Sequence, residues 1–181
     1  MTIQSFSHRW HRRMAGAGIL AVALLLTACD GPRIRVTAPD ATIGSGRVTS
    51  ESRTVTGWSG VTLDGVGRLV IDQTGSESLI ITAEDNILPL LRSEVAGGFL
   101  ELGFDVSGSV SATRQILFEA TARRLDGLRI RGAAEIDAAG IDSSFFTVDL
   151  SGAGNIRARG RVDQQEISIS GAGRYDAENV D

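Results

Sequence analysis

The stretch LSGAGNIRARG at Leu150–Gly160 is followed by a near copy, ISGAGRYDAEN, at Ile169–Asn179. Each copy carries Gly-Ala-Gly and then residues that alternate between apolar and polar. Related elements occur earlier as GSGRV at Gly44, GVGRL at Gly65 and GAAEI at Gly132. The last three copies start 20 and 19 residues apart, and the first two start 21 apart. This period is too short for repeated helix pairs and is typical of the coils of a β-solenoid.

Aligning the copies on their first glycine predicts which residues stack in successive coils. The apolar positions alternate with polar ones, which is the period of two expected of strands with one buried face. The polar column Asp137, Arg157, Asp176 would alternate in charge, as would Arg159 over Glu178. The predicted apolar columns are Leu128 with Val148 and Ile167, Ile130 with Leu150 and Ile169, Ile136 with Ile156 and Tyr175, and Ala138 with Ala158 and Ala177.

The recurring glycines predict a corner at the same place in every coil. A corner needs a positive φ or a close approach of two backbones, and glycine permits both. Ala134 stands where the second glycine of its copy is expected and predicts a looser corner. A phosphate-binding role is disfavoured, because each Gly-x-Gly leads into another strand and not into a helix. The predicted structural turns are Gly65, Gly67, Gly132, Gly152, Gly154, Gly171 and Gly173.

The N-terminal residues predict export and lipidation. Arginines precede an apolar run that ends in Leu26-Thr27-Ala28-Cys29, so residues 1–28 read as a lipoprotein signal peptide. Cys29 would carry the acyl chains that hold the protein in a lipid bilayer. The alternative is a plain cleavable signal with an incidental cysteine. Residues 29–43 contain two prolines and read as a flexible tether, and residues 44–181 form the predicted domain.

Composition excludes several classes of chemistry. The chain has no lysine, both histidines precede Cys29, and Cys29 is the sole cysteine. The processed protein would therefore lack catalytic triads, Schiff-base lysines and His- or Cys-based metal or haem sites, and we expect no cofactor and no metal. A net charge of −4 with 5% aromatic residues does not suit nucleic acid. Calcium binding of the repeats-in-toxin type is disfavoured, since that motif recurs every nine residues.

The region from about residue 73 to 113 interrupts the repeat. Gly97-Gly98, between alternating apolar residues, predicts a hairpin, and Asp85 or Asn86 is expected to cap a short helical turn that contains Pro89. We interpret this region as a lateral insertion or cap. Outside it, Trp58 is predicted to lie in the core or a cap, and the Tyr175 ring is predicted to be buried with its hydroxyl at the edge.

Several segments in combination resemble a known bacterial family. They are WSGVTLDGVGRLVI, ITAEDNILPLL, LDGLRIRGAAEI and the late LSGAGNI and ISGAGRY. From about Gly44 onward the chain resembles the auto-transporter adhesin head domain, called the head GIN domain. The resemblance implies secreted or lipid-anchored envelope proteins that are built as β-helices, mostly without an established activity.

Together these observations predict an all-β protein, a parallel β-helix or β-solenoid with coils of about 19 to 21 residues and a lateral hairpin and short-helix insertion. The expected function is that of a periplasm-facing envelope lipoprotein whose domain binds or scaffolds, as an adhesin does, without catalysis. The expected partners are the bilayer through acylated Cys29, an envelope protein or glycan, and a second copy through the C-terminal coil. The alternative is a carbohydrate-active or ligand-binding envelope enzyme that uses surface Asp and Glu. Asp30, directly after Cys29, resembles the signal that retains some bacterial lipoproteins at the inner membrane, but this rule varies between organisms, so the inner and the outer membrane both stay open.

Overall fold

A computed structural model describes residues 41–178. The predicted signal peptide, Cys29, most of the predicted tether and the last three residues lie outside the described residues. Within the described part almost every regular element is a β-strand, so the all-β prediction is confirmed. No helix between residues 41 and 178 is long and apolar enough to cross a membrane.

The strands follow one another with short connections. A single 3-10 helix, Leu88–Leu90, interrupts them among the described residues. The strands are β1 Thr42–Ile43, β2 Val48–Ser52, β3 Gly60–Gln73, β4 Ser78–Glu84, β5 Leu91–Ala96, β6 Phe99–Phe104, β7 Val110–Ser111, β8 Leu117–Ala122, β9 Gly127–Ser143, β10 Phe146–Gly152, β11 Asn155–Val162, β12 Gln165–Gly171 and β13 Arg174–Glu178.

The strands that carry the glycine repeat stack in parallel. β9 pairs with β3 along nearly its whole length, from Gly60 opposite Gly127 to Asp72 opposite Ala139. β10 pairs with the first half of β9 and β11 with the second half. β12 then pairs with β10, and β13 with β11. Each repeat therefore consists of two strand segments that join at a glycine corner, and we use the word coil for one such repeat.

The pairing confirms the predicted columns. Leu150 lies opposite Ile130 on one side and Ile169 on the other, and Ile130 lies opposite Leu63. On the second half of each coil Ile156 lies between Ile136 and Tyr175 in the same way. The column residues of β9, β10 and β11 belong to one buried hydrophobic cluster. Stacked burial of this kind provides the main driving force for folding.

The predicted insertion is built into the same sheet and does not lie beside it. The hairpin is confirmed, since β5 pairs antiparallel with β6 around Gly97-Gly98. β6 also pairs in parallel with β3, which sets Leu100 and Leu102 opposite Val61 and Leu63. On the other half of the coil, β4 pairs antiparallel with β8 and β2 with β4. The parallel repeat therefore passes here into antiparallel strands, with β2 and β5 outermost.

The predicted cap of the short helix is wrong. The N-cap residue is Ile87, and no side chain caps the N-terminal end of the helix. With Pro89 in its first turn, this three-residue helix has few free N–H groups to satisfy. Arg53 instead donates from its guanidinium to the carbonyl oxygens of Leu88 and Leu91, at 3.0 and 2.5 Å.

Two aromatic residues lie as predicted. Trp58 is buried in the core, with 3% of its surface exposed. Tyr175 is half-buried against the core, and its hydroxyl donates to Oε1 of Gln165 at 3.1 Å. Burial raises the pKa of the Tyr175 hydroxyl. Thr42 and Ile43, at the end of the predicted tether, form β1, which pairs in parallel with β7.

Candidate functional site

The outer face of the second half-coils carries a charge ladder. Arg157 on β11 lies opposite Asp137 on β9 and Asp176 on β13. Asp137 accepts from Arg157 Nη1 at 3.2 Å and from Arg68 Nη2 at 2.7 Å. Burial raises the pKa of the Asp137 carboxyl, but the bonds from Arg68 and Arg157 outweigh it, so the pKa lies below its usual value. Asp137 therefore stays ionised and is poorly suited to act as a general acid.

A second carboxylate, Glu84 at the end of β4, is buried in a nest of backbone N–H groups. Its oxygens accept from the amides of Gly46 at 2.6 Å and Thr113 at 2.8 Å, and from the Thr113 hydroxyl at 2.6 Å. A third amide, that of Arg114, lies at 3.3 Å. The Thr113 hydroxyl bond lowers the pKa of Glu84, against an opposing effect of burial. Glu84 thus ties two loops to β4, which is a structural role.

The neighbouring Asp85 and Asn86 hold the segment before β2. Asn86 accepts from the Ser45 amide at 2.9 Å and donates to the Ile43 carbonyl at 2.8 Å. Asp85 accepts from the Ser45 hydroxyl and pairs with Arg47 at 2.6 Å. The Ser45 hydroxyl, with Arg47, lowers the pKa of Asp85. Both side chains are engaged within the fold and leave little capacity for a ligand.

The turns that join successive coils line an open pocket with a volume of about 650 Å³. It lies where β9 begins, where β9 passes to β10 and where β11 passes to β12. We call it the turn-edge pocket. Its lining residues are Arg124, Asp126, Asp142, Ser143, Ser144, Phe145, Arg161 and Asp163.

The turn-edge pocket combines an exposed aromatic ring with charged groups. Phe145 has 46% of its surface exposed, whereas the next residue, Phe146, is fully buried. The Asp126 carboxylate forms an ion pair with Arg124 at 2.5 Å and accepts a hydrogen bond from the Ser143 hydroxyl at 2.9 Å. Arg161 also lines the pocket and forms no ion pair with any residue between 41 and 178.

The remaining pocket carboxylates, Asp142 and Asp163, likewise have no ion pair among the described residues. An aromatic face beside unengaged donors and acceptors can bind a ligand that has both an apolar face and hydroxyl groups. Within the described range no group of three or more carboxylate, histidine or cysteine side chains is arranged to hold a metal ion.

The predicted glycine turns lie at the corners between half-coils. Gly152 has φ +132°, and a Cβ there would meet the backbone of Gly132 in the coil below. Gly154 has no positive φ, but a Cβ would lie 2.5 Å from the carbonyl oxygen of Ala134. A Cβ at Gly173 would likewise come too close to the carbonyl oxygen of Gly154. The other predicted turn residues have positive φ, and they are Gly65, Gly67, Gly132 and Gly171.

Residues 57–181 match the family described as "Putative auto-transporter adhesin, head GIN domain". The chain belongs to this family. No curated protein matches the sequence.

Solved structures share the fold of this head GIN domain. A "putative lipid binding protein" from Parabacteroides distasonis superposes with a TM-score of 0.69 at 16% identity, over 78% of this chain and 62% of that one. A "putative adhesin" from Bacteroides fragilis gives 0.64 at 21% identity, over 75% and 63%. A second "putative adhesin" from P. distasonis gives 0.56 at 19%, over 77% and 68%. The chain thus spans less than two thirds of the first two structures.

Sequence reasoning missed the most distinctive side chains of this head GIN domain. Glu84 reads as one more charge in a polar loop, because the amides that bind it come from distant segments. Phe145 was detectable, since two successive phenylalanines cannot both face the core of one strand. Arg68 was also missed, because its partner Asp137 lies on another strand. Cys29, the predicted lipidation site, lies outside the described residues.

Proposed function

We propose that this chain is a lipid-anchored protein of the bacterial cell envelope, and that its head GIN domain is a β-solenoid that binds other molecules without catalysis. The parallel in-register stacking of coils and the family membership support the solenoid and the adhesin-like role. The observation that carries the binding role is Phe145, which stays exposed in the turn-edge pocket while Phe146 fills the core.

The bonding of two carboxylates, Asp137 and Glu84, supports a role without catalysis. Asp137 is held as a carboxylate by two guanidinium groups, and Glu84 is bonded to backbone amides. Neither is free to exchange a proton with a substrate at neutral pH. Beyond Cys29 the sequence contains no histidine, lysine or cysteine to act as a base or nucleophile. Within the turn-edge pocket, the carbohydrate-active alternative would rely on Asp142 and Asp163, because Asp126 is already bonded to Arg124 and Ser143.

The pocket ligand that fits best is a glycan. A sugar ring has an apolar C–H face that can lie on the Phe145 ring, and hydroxyl groups that can bond to carboxylate and guanidinium groups. Asp142, Asp163 and Arg161 provide such groups around the ring. The pocket is open, so it suits a chain of sugars that passes across the turns.

Binding can be tested on an array of bacterial envelope oligosaccharides, including peptidoglycan and lipopolysaccharide-core fragments. We expect binding that falls at least tenfold in Phe145→Ala and is kept in Phe145→Tyr. Val66→Ala is the matched control, because Val66 is an equally exposed apolar residue, 47% exposed, away from this pocket. Retention of all binding in Phe145→Ala would place the ligand elsewhere, and failure of every glycan to bind would overturn the proposal.

The anchor is tested separately in the native host. Acyl chains on Cys29 would contribute about 0.8 kcal/mol for each methylene buried in the bilayer. Cys29→Ser should therefore abolish incorporation of an alkynyl fatty acid and move the protein to the soluble envelope fraction. Labelling or membrane retention that persists in this variant would contradict lipidation at Cys29.

A further inference from the structure

The last stacked strand of the first half-coils has an open side. Among the described residues β12 pairs with β10 alone, whereas β10 lies between β9 and β12. All residues of β12 are exposed. Ile167 and Ile169 are 45% and 46% exposed, although they continue columns whose previous members, Val148 and Leu150, are 1% and 0% exposed. The apolar column therefore reaches the surface at β12.

The two ends of the stack differ in how they are finished. At the other end the outermost strands are β2 and β5, which pair antiparallel with β4 and β6 and carry mainly polar side chains. Within residues 41–178, β12 is also an outermost strand, but it ends the repeat with two exposed isoleucines. A strand edge with free N–H and C=O groups and apolar side chains favours pairing with another strand. Repeat stacks generally need a polar outer face at each end.

We infer that the open side of β12 is a self-association surface whose occupant is a second copy of this chain. The two copies would pair β12 with β12 in antiparallel fashion about a two-fold axis at Ser168. A two-fold interface requires a surface that complements itself. In this register Ile167 of one copy lies opposite Ile169 of the other, and Glu166 lies opposite Ser170.

The register follows from the sequence of β12. A symmetric pair centred on Ile167 would set Ile169 opposite Gln165 and lose an apolar contact. The centre at Ser168 matches both isoleucines and brings no two like charges directly opposite each other on this strand. The neighbouring β13 carries charges of both signs, on Arg174, Asp176 and Glu178. Its exposed side therefore does not present charges of one sign that would repel a second copy.

Cysteine cross-linking in intact cells tests both the occupant and the register. Ser168→Cys would place two thiols opposite each other, within the separation of about 4.4 to 6.8 Å between Cα atoms that a disulfide needs. We expect a disulfide-linked band at twice the mass of the chain on a non-reducing gel. Ser170→Cys is the register control, because its two copies would be about 14 Å apart and should not link. The chain without an added cysteine is the control for any disulfide that forms through Cys29.

Two further variants separate pairing from folding. Ile169→Glu in the Ser168→Cys background should reduce the linked band at least tenfold, while protease resistance of the domain stays unchanged, because Ile169 is exposed in the single copy. Val95→Glu alters an apolar residue of β5 at the other end, 38% exposed, and should leave the band unchanged. Phe145→Ala should also leave it unchanged, so this inference and the proposed glycan binding can fail independently.

Three outcomes would overturn the inference. One is the absence of a linked band from protease-resistant Ser168→Cys protein. Another is equal linkage of Ser168→Cys and Ser170→Cys, which would indicate random collisions. The third is a linked band of another mass, which would show that a different protein covers β12.

Discussion

At the scale of single residues, Glu84 is the side chain on which the N-terminal part of the described fold depends. It connects the loop before β2 and the loop before β8 to the end of β4. A buried carboxylate is tolerated only where hydrogen bonds replace its hydration. Gly44 is part of the same arrangement, because a Cβ at this position would overlap the Glu84 carboxylate.

Glu84→Gln should destabilise the domain at neutral pH, because an amide cannot accept from every N–H group that now bonds to the carboxylate. The pKa of Glu84 is below its ordinary value of 4.5. Its contribution to stability is thus complete above pH 4.5 and is lost as the pH falls through the lower, folded-state pKa. We expect a melting temperature several degrees below wild type at pH 7, and a difference that shrinks below about pH 4.

The matched control is Glu119→Gln, at an exposed glutamate on β8 that has no ion pair or side-chain hydrogen bond among the described residues. Thermal unfolding of both variants between pH 3 and pH 7 makes the comparison. Equal melting temperatures of Glu84→Gln and wild type at pH 7 would show that the nest contributes nothing to stability.

At the scale of elements, stability depends on the columns inside the stack and on the corners that keep the coils in register. Ile156 is fully buried between Ile136 and Tyr175. Ile156→Asp would place an unpaired charge in this column and should cost several kcal/mol, about 4 or more. Ile80→Asp, at an apolar strand residue that is 42% exposed, should cost much less. Denaturant unfolding measures both, and similar midpoints would contradict the packing of this column.

The corner glycines allow a separate test. Gly152→Ala would combine an unfavourable φ with a clash against the Gly132 backbone and should cost roughly 2 to 5 kcal/mol. Gly75→Ala shares a positive φ, +86°, but its Cβ would meet nothing within 4 Å. This control should therefore cost only about 1 to 2 kcal/mol. If the two variants unfold at the same denaturant concentration, close approach of the coils is not what requires glycine at the corner.

The parallel register of the repeats was predictable because the sequence repeats a corner and its flanking columns at a nearly fixed interval. The register of Leu150 on Ile130 follows from that interval alone. The region around β6 was harder, since Leu100 and Leu102 indicate a strand but not its partner β3. The Glu84 nest and the turn-edge pocket depend on backbone groups and turns that converge only in the folded chain. Apart from the two successive phenylalanines, Phe145 and Phe146, no side-chain pattern in the sequence indicates them.

At the scale of the whole domain, successive repeats pair in parallel, so each repeat is stabilised mainly by its neighbours. β3 and β9 lie in the middle and have strands on both sides. β12 and β13 each have a neighbour on one side among the described residues. Among the strands of the repeat, local opening should therefore be easiest at β12 and β13 and hardest at β9.

Amide hydrogen exchange of the isolated domain at low concentration should reveal this gradient. The N–H groups of a strand inside a parallel sheet alternate between its two neighbours, so half of those in β12 lack a partner in a single copy, whereas those of β10 are bonded on both sides. We expect the outward amides of β12 to exchange at least tenfold faster than amides of β10. The slow amides of β9 should report global unfolding, since releasing them requires the coils on both sides to separate. Raising the concentration until copies pair should slow exchange in β12 and leave β9 unaffected. Exchange in β12 that is as slow as in β10 in the dilute sample would mean that its outer edge is already bonded within one chain, and the stack would then have no open end.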